Sequence, residues 1–161
     1  MALLVFIPTV GPLVALVWTA VQLPGHHGRS RWWTLPRKLA PQLLDQPGVG
    51  PLAAAQILIS WSHRGRIRSE AAFARLAGSA PIPASSGQTI RYRLDRSGDR
   101  RLNRALQMIL VTRRRAHAPT IAYINRRIQE GKSRRDASRC LKRYLARNLY
   151  RRLERGAPLA T

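Results

Sequence analysis

The spacing of hydrophobic residues predicts a mostly helical chain from residue 39 onward. In the last segment apolar residues recur at steps of three and four, which gives an apolar face to a helix capped by Ser133 and running through Arg155. Ser69 marks another helix start, and Pro119 suits the first turn of a helix that ends at Gly131. Helices are predicted over residues 39–45, 52–62, 69–77, 99–117, 119–130 and 133–155.

Residues 78–98 break this helical pattern. They contain Pro81, Pro83 and Gly98, which disfavour a continuous helix. Residues 89–94 alternate in the manner of a short strand or hairpin, and Ser97 or Asp99 is expected to cap the next helix. The sequence therefore predicts an all-α fold, with a helix-hairpin-helix followed by a basic helical bundle and one irregular, partly extended loop.

The amino-terminal segment differs from the rest of the chain. Residues 1–25 carry no charged side chain, and the apolar run is about long enough for a bilayer-spanning helix of ~20 residues. Prolines and glycine interrupt it, so membrane anchoring by residues 1–23 is the less favoured alternative. The others are a helix that packs on an absent partner and a start codon that opens in unrelated sequence. We divide the chain into a leader (1–38), a main domain (39–155) and a tail (156–161).

The charge balance indicates a polyanionic partner. The chain has 29 Lys and Arg against 7 Asp and Glu, a formal net charge of +22. Neutralising phosphates releases condensed counterions and drives association, so nucleic acid is the expected partner. The alternative is a soluble surface with excess charge. Cys140 is the single cysteine, which excludes an intramolecular disulfide, and we expect it to be a small buried residue.

The run PGVGP at residues 47–51 predicts a phosphate-binding hairpin between two helices. Gly48 and Gly50 permit positive φ and a close backbone approach, so that amide groups and a helix N-terminus would face a phosphate. Val49 would fill the gap between the two helices. The alternative is a tight turn that binds nothing.

The run Ser85-Ser86-Gly87 is a candidate for nucleophilic chemistry because a serine beside glycine allows close approach of a substrate. A nucleophilic serine needs activation, and no histidine or acid is near in sequence. Arg91, Arg93 and Arg96 would instead stabilise a phosphoryl transition state. From the residues alone, a phosphate-binding turn is the competing interpretation.

The acidic residues are scattered along the chain. A two-metal nuclease site needs several converging carboxylates, and no pair is close in sequence with the pattern of a Mg²⁺ site. The sequence therefore predicts no metal site and no cofactor in this chain.

Several motifs in a fixed order carry a family resemblance. They are PGVGP at 47–51, FARLAG at 73–78, APIPASSG at 80–87, RSGDRRLNRAL at 96–106, Tyr123, EGK at 130–132 and RCLKRYLAR at 139–147. From about residue 43 to residue 153, the chain resembles the carboxy-terminal domain of the insertion-sequence one-ten transposases, a family that also includes Piv-type DNA invertases.

The resemblance implies a recombinase that cuts and rejoins DNA, guided in characterised members by a structured RNA. Such members combine an amino-terminal RuvC-like domain, in which four acids hold Mg²⁺, with a serine-bearing domain like this one. Ser86 is the position that matches the serine nucleophile, with Ser85 as the fallback. Residues before Leu39 show neither RuvC-like strands nor acids, so Mg²⁺ is expected only with a RuvC-like domain supplied elsewhere.

We therefore expect a transposase domain that acts in DNA transposition, a truncated copy that is inactive alone. The alternatives are a non-catalytic nucleic-acid-binding module that regulates a full-length relative and a membrane-tethered basic protein. Expected partners are DNA, a structured guide RNA and a second copy or full-length transposase, in the cytoplasm at the nucleoid. The residues expected to bind nucleic acid are Gly48, Gly50, Arg91, Arg93, Arg96, Arg100, Arg104, Lys142 and Arg143.

Overall fold

The computed structural model describes residues 34–84, 92–95 and 97–156. Within these ranges the chain forms seven helices and one two-stranded sheet, which confirms the all-α prediction. The elements are α1 (Thr34–Leu39), α2 (Pro41–Leu44), α3 (Pro51–Trp61), α4 (Glu70–Leu76), β1 (Pro81–Pro83), β2 (Tyr92–Leu94), α5 (Arg100–Ala116), α6 (Ala118–Gln129) and α7 (Arg134–Gly156).

The first helical segment differs from the prediction in two ways. Helical structure begins at Thr34, inside the segment assigned to the leader. The helix predicted over residues 39–45 is divided at Ala40, whose φ of −153° is extended. The cause is Pro41, which disfavours helical geometry in the residue before it and cannot donate a backbone hydrogen bond. Two short helices result instead of one.

The predicted helix starts are confirmed where the caps can be seen. The Ser69 side chain accepts a hydrogen bond from the Ala72 amide, and the Asp99 side chain accepts from two amides in the first turn of α5. Ser133 Oγ accepts from the Asp136 amide at 3.1 Å. Each cap satisfies amides that have no partner within the helix, and each contributes about 1 kcal/mol.

The core lies between α3, α4, α5 and α7, since α7 packs against α4 and α5, and α5 packs against α3. Phe73 is fully buried and stacks on Tyr150 with ring centroids 5.7 Å apart. Burial of each large apolar side chain contributes about 1.5–3 kcal/mol. The largest fully buried side chains are Phe73, Leu43, Ile57, Leu102, Leu106, Ile109, Leu110, Leu149, Leu153 and Pro36.

The irregular region forms an antiparallel hairpin in its described part. Ile82 pairs with Arg93 at the centre of a three-residue ladder between β1 and β2. Strand β2, Tyr92–Leu94, agrees with the strand or hairpin predicted for residues 89–94. Residues 85–91, which include the Ser85-Ser86-Gly87 run, lie outside the described residues.

No helix in the described ranges is both long and apolar enough to cross a membrane. The anchoring alternative concerned residues 1–23, which also lie outside the described residues.

Candidate nucleic-acid interface

A basic cleft of about 610 Å³ lies between the hairpin and the amino-terminal half of α7. The hairpin side contributes Tyr92 and Arg93, together with the chain from Gly78 to Pro81. The other side is formed by the turn between α6 and α7 and by α7 itself. Among the described residues, the charged ones lining it are five cations and one acid: Arg93, Lys132, Arg139, Lys142, Arg143 and Asp136.

Lys142 is the most constrained of these cations. Its Nζ donates hydrogen bonds to Asn103 Oδ1 and Gln107 Oε1, each at 3.1 Å. Burial lowers the pKa of the Lys142 ammonium, and the neighbouring positive charge of Arg139 lowers it further. Both hydrogen-bond acceptors are neutral amides. Lys142 therefore presents a positive charge that is held in place without being neutralised, an arrangement that favours an incoming anion.

Asn103 links this lysine to the base of the irregular loop. Its Nδ2 donates to the carbonyl oxygen of Ala77 at 2.6 Å. One helical turn later on α5, Gln107 provides the second acceptor for Lys142. Asn103 thus holds both the cleft lysine and the chain that enters the hairpin.

The two ends of the irregular region are also held against each other. Gly78 has a φ of +60°, and a Cβ added at Gly98 would lie 2.5 Å from Gly78 N and 2.6 Å from Leu76 O. The Asp99 amide donates to the Leu76 carbonyl at 2.7 Å. The chain that leaves α4 and the chain that enters α5 therefore touch through their backbones, which fixes the base of the hairpin beside the cleft.

The acid among the described residues of the cleft is partly neutralised. Asp136 accepts from the Ser133 hydroxyl at 2.6 Å and pairs with Arg139 at 3.0 Å. These contacts, the Ser133 hydrogen bond first, lower the pKa of Asp136. The amino-terminal end of α7, with its partial positive charge, lies at the same place.

A second basic cavity continues from the first across α7. It encloses about 500 Å³ and shares Arg139 and Lys142 with the cleft. Its other cations are Arg114, Arg134 and Arg135, and none of the lining residues that the structure describes is acidic. The two cavities together form one basic surface over the amino-terminal half of α7.

The structure brings some of the predicted nucleic-acid-binding residues together. Arg93, Lys142 and Arg143 all line the cleft. Arg100 and Arg104 are exposed on α5, outside the lining. Four predicted residues lie outside the described ranges, namely Ser85, Ser86, Arg91 and Arg96.

The PGVGP hairpin lies farther along α5. Gly48 has the expected positive φ, +76°, but a Cβ there would meet Ile109 O at 3.1 Å, so this glycine packs on α5. Gly50 is extended, with φ −84°, and faces open space. Val49 is buried and belongs to the hydrophobic core. From Asn103 to Arg113, which donates to the Pro47 carbonyl at 2.7 Å, the distance along the helix is about 15 Å.

Sequence reasoning missed several residues of the cleft. Asn103 and Gln107 are polar residues one helical turn apart on α5, a spacing that marks a shared face but names no partner. Tyr92 lies between two arginines in the sequence, and an aromatic residue among cations is a signal for nucleic-acid contact. Cys140, expected to be buried, is half-buried and lines the cleft.

The acidic residues of the described ranges serve structural contacts. No group of three or more His, Cys, Asp or Glu converges there in a way that would hold a metal ion. Mg²⁺ prefers carboxylate oxygens, so the described residues do not fit a two-metal site. Six of the seven acids have side-chain hydrogen bonds or ion pairs, namely Glu70, Asp95, Asp99, Glu130, Asp136 and Glu154.

Comparison with known protein families gives one match. Residues 40–125 match the family described as Transposase IS116/IS110/IS902 family. The matched segment contains the hairpin, α5 and Asn103, whereas α7 lies beyond it. No curated protein matches the chain.

Proposed function

This chain belongs to the IS116/IS110/IS902 family of transposases, and on that premise we propose that it binds DNA during transposition through the basic cleft. The observation that carries the proposal is Lys142, a half-buried cation held by two neutral amides. Such a charge is costly in the free protein and is stabilised when a phosphate supplies the missing counter-charge. Arg93 and Arg143 contribute from the same cleft.

The remaining predicted contacts extend this surface. Arg100 and Arg104 are exposed on α5, and Gly50 leaves the start of α3 open to an approaching phosphate. Arg91 and Arg96 flank β2 in the sequence and belong to the same proposal, as does Gly48. A net charge of +22 adds long-range attraction for DNA over the whole surface.

We assign the nucleophile to Ser86, with Ser85 as the fallback. In the sequence the serine lies between Ala84 and Tyr92, which are the nearest described residues on its two sides. In the proposed step, the serine oxygen forms a bond to a DNA phosphorus while one strand P–O bond breaks. The serine proton passes to solvent and the leaving deoxyribose oxygen takes up a proton. The transient phosphoserine linkage is then resolved by the reverse exchange with another DNA end.

We further propose that a RuvC-like domain outside the described residues supplies Mg²⁺, so that the described residues alone bind DNA without cutting it. The structural use of six acids supports this division. A second copy or a full-length transposase would then complete the active site, with a structured RNA as guide, in the nucleoid-associated cytoplasm.

The structural use of six acids also favours a second candidate, a non-catalytic module that regulates a full-length relative. Ser86→Ala separates the two. The assay measures transposition with the full-length relative added. If Ser86 is the nucleophile, the Ser86→Ala variant should bind DNA normally but no longer form a covalent DNA adduct. If the Ser86→Ala variant affects transposition as the wild-type chain does, the regulatory module is supported instead.

DNA binding itself is tested with Lys142→Met and a matched control, Lys38→Met. Both remove one lysine charge, but Lys38 is exposed on α1, far along the chain from the cleft. Hydrogen bonds to charged groups contribute about 1.5–3 kcal/mol, so Lys142→Met should weaken duplex binding by about tenfold or more. Fluorescence anisotropy of a labelled duplex measures this.

Equal losses in the two lysine variants would contradict a specific cleft. With six to ten phosphate contacts, affinity should also fall roughly 10³–10⁵-fold between about 50 and 200 mM salt. A salt-independent affinity would contradict DNA binding by this surface altogether.

A further inference from the structure

Tyr92 is exposed beside the cations of the cleft. Its side chain is 62% exposed although it lines the cavity with Arg93 and Lys142. Its backbone is held in β2, where it pairs with Pro83. The strand fixes the backbone from which this ring projects, and most of the side chain is exposed to solvent. No ring or cation contact to it is found in the described part of the chain.

The cleft combines an apolar part with a cationic part. The hairpin side supplies the Tyr92 ring together with Ala80 and Pro81, and α7 supplies Lys142 and Arg143. A volume of about 610 Å³ lies within the range of about 300–1,000 Å³ that is usual for sites of small ligands. The ligand that matches has a flat ring and an adjacent anion, which describes one nucleotide.

We infer that the cleft binds an unpaired nucleotide, with its base stacked on Tyr92 and its phosphate held by Lys142 and Arg143. This inference rests on the proposed function, since it concerns how nucleic acid is bound there. In a duplex both faces of each base are covered by neighbouring base pairs. Stacking on a protein ring therefore requires a base that is unpaired or turned out of the helix.

The second cavity supplies the continuation of the strand. It shares Arg139 and Lys142 with the cleft and adds Arg114, Arg134 and Arg135. A single strand whose base lies against Tyr92 can thus place its next phosphates over α7 without meeting an acid in the lining. A cationic groove next to an aromatic ring is the combination that single-stranded nucleic acids prefer.

The experiment compares Tyr92→Leu with Tyr92→Phe in the full chain. Tyr144→Leu is the matched control, since Tyr144 is also exposed, at 56%, but lies outside the lining of the cleft. Anisotropy is measured with a labelled oligodeoxynucleotide, the oligoribonucleotide of the same sequence and a blunt duplex. A 2-aminopurine in the single strand reports stacking directly, because stacking quenches its fluorescence.

Tyr92→Leu should weaken single-strand affinity by roughly fivefold to a hundredfold and abolish the quenching. Tyr92→Phe and Tyr144→Leu should keep wild-type affinity, and duplex affinity should change less than about twofold in every variant. The two single strands show whether DNA, RNA or both supply the nucleotide.

Three results overturn the inference. If Tyr92→Leu binds the single strands as tightly as the wild type, or loses duplex affinity equally, no unpaired base stacks on Tyr92. Salt-dependent duplex binding in that case leaves the proposed function standing. If the wild-type protein binds none of the three probes, the proposed function fails as well.

Discussion

Replacement of Gly98 by alanine tests how the irregular region is fixed beside the cleft. The added Cβ would lie 2.5 Å from Gly78 N, 2.6 Å from Leu76 O and 2.8 Å from Gly78 Cα. These distances are about 1 Å shorter than an ordinary contact. All three neighbours are backbone atoms of one turn, so no flexible side chain can move aside.

The expected cost is a sum of two effects. Overpacking in a well-packed region costs typically about 1–3 kcal/mol. Separation of the two chain segments would also stretch the hydrogen bond from the Asp99 amide to the Leu76 carbonyl, 2.7 Å in length, which contributes about 1 kcal/mol. We therefore expect Gly98→Ala to lower the free energy of unfolding by about 3 kcal/mol.

Urea unfolding followed by circular dichroism measures this change. Gly50→Ala is the control, because Gly50 has a negative φ and no atom within 4 Å of the added Cβ. It should cost less than about 1 kcal/mol, the loss expected when alanine replaces glycine at a helix N-cap. If Gly98→Ala unfolds within about 0.5 kcal/mol of the wild type, the turn is loose and the argument that it fixes the cleft is wrong.

Two further variants test the charges. Gln107→Glu places a carboxylate at the acceptor that lies 3.1 Å from Lys142 Nζ. It should change stability by no more than about 1 kcal/mol, weaken DNA binding and reduce the salt slope by about one; unchanged anisotropy and slope would show that Lys142 does not contact phosphate. Glu70→Gln removes the carboxylate charge and one of the two oxygens that accept from Arg147 and Arg151, whose hydrogen bonds lower the pKa of Glu70. A carboxyl with a lowered folded pKa stabilises the fold above its unfolded pKa, about 4.3, and loses that effect as the pH falls through the folded value. The urea midpoint of Glu70→Gln should thus be lower than that of the wild type at pH 7, and the difference should shrink as the pH falls below the unfolded pKa; a difference that stays constant from pH 7 down into the acid range would contradict the ion-pair explanation.

The sequence predicted the features that depend on neighbouring residues. The caps Ser69, Asp99 and Ser133 act on amides two or three residues away, so their effect could be derived from local order. The same holds for α5 and α7, whose apolar spacing is regular. The break at Ala40 was not predicted, although it too follows from a local rule, since Pro41 restricts the residue before it.

The cleft could be predicted only in part, because it depends on distant residues. Lys142 was identified as basic, but its acceptors Asn103 and Gln107 are 39 and 35 positions away. The contact between Gly78 and Gly98 likewise joins two ends of an irregular segment. Spacing along the chain does not encode which distant residues come into contact. Only the fold shows that Lys142 is held by two neutral amides.

The charges of α7 divide this helix into two functional parts. Toward its carboxyl end, Arg147 and Arg151 both bind Glu70 on α4, and Glu154 accepts from Trp61 Nε1 at 2.8 Å. These contacts tie the helix to the core.

Toward the amino end of α7, Arg139 pairs with Asp136, whereas Lys142 is held by amides alone. Acids are scarce in this chain, and of the two on α7 one, Glu154, ties the helix to the core. Because both of its acceptors are neutral amides, Lys142 keeps its charge for a ligand. This separation explains how a protein with a net charge of +22 can pack a helix firmly at one end and present a basic surface at the other.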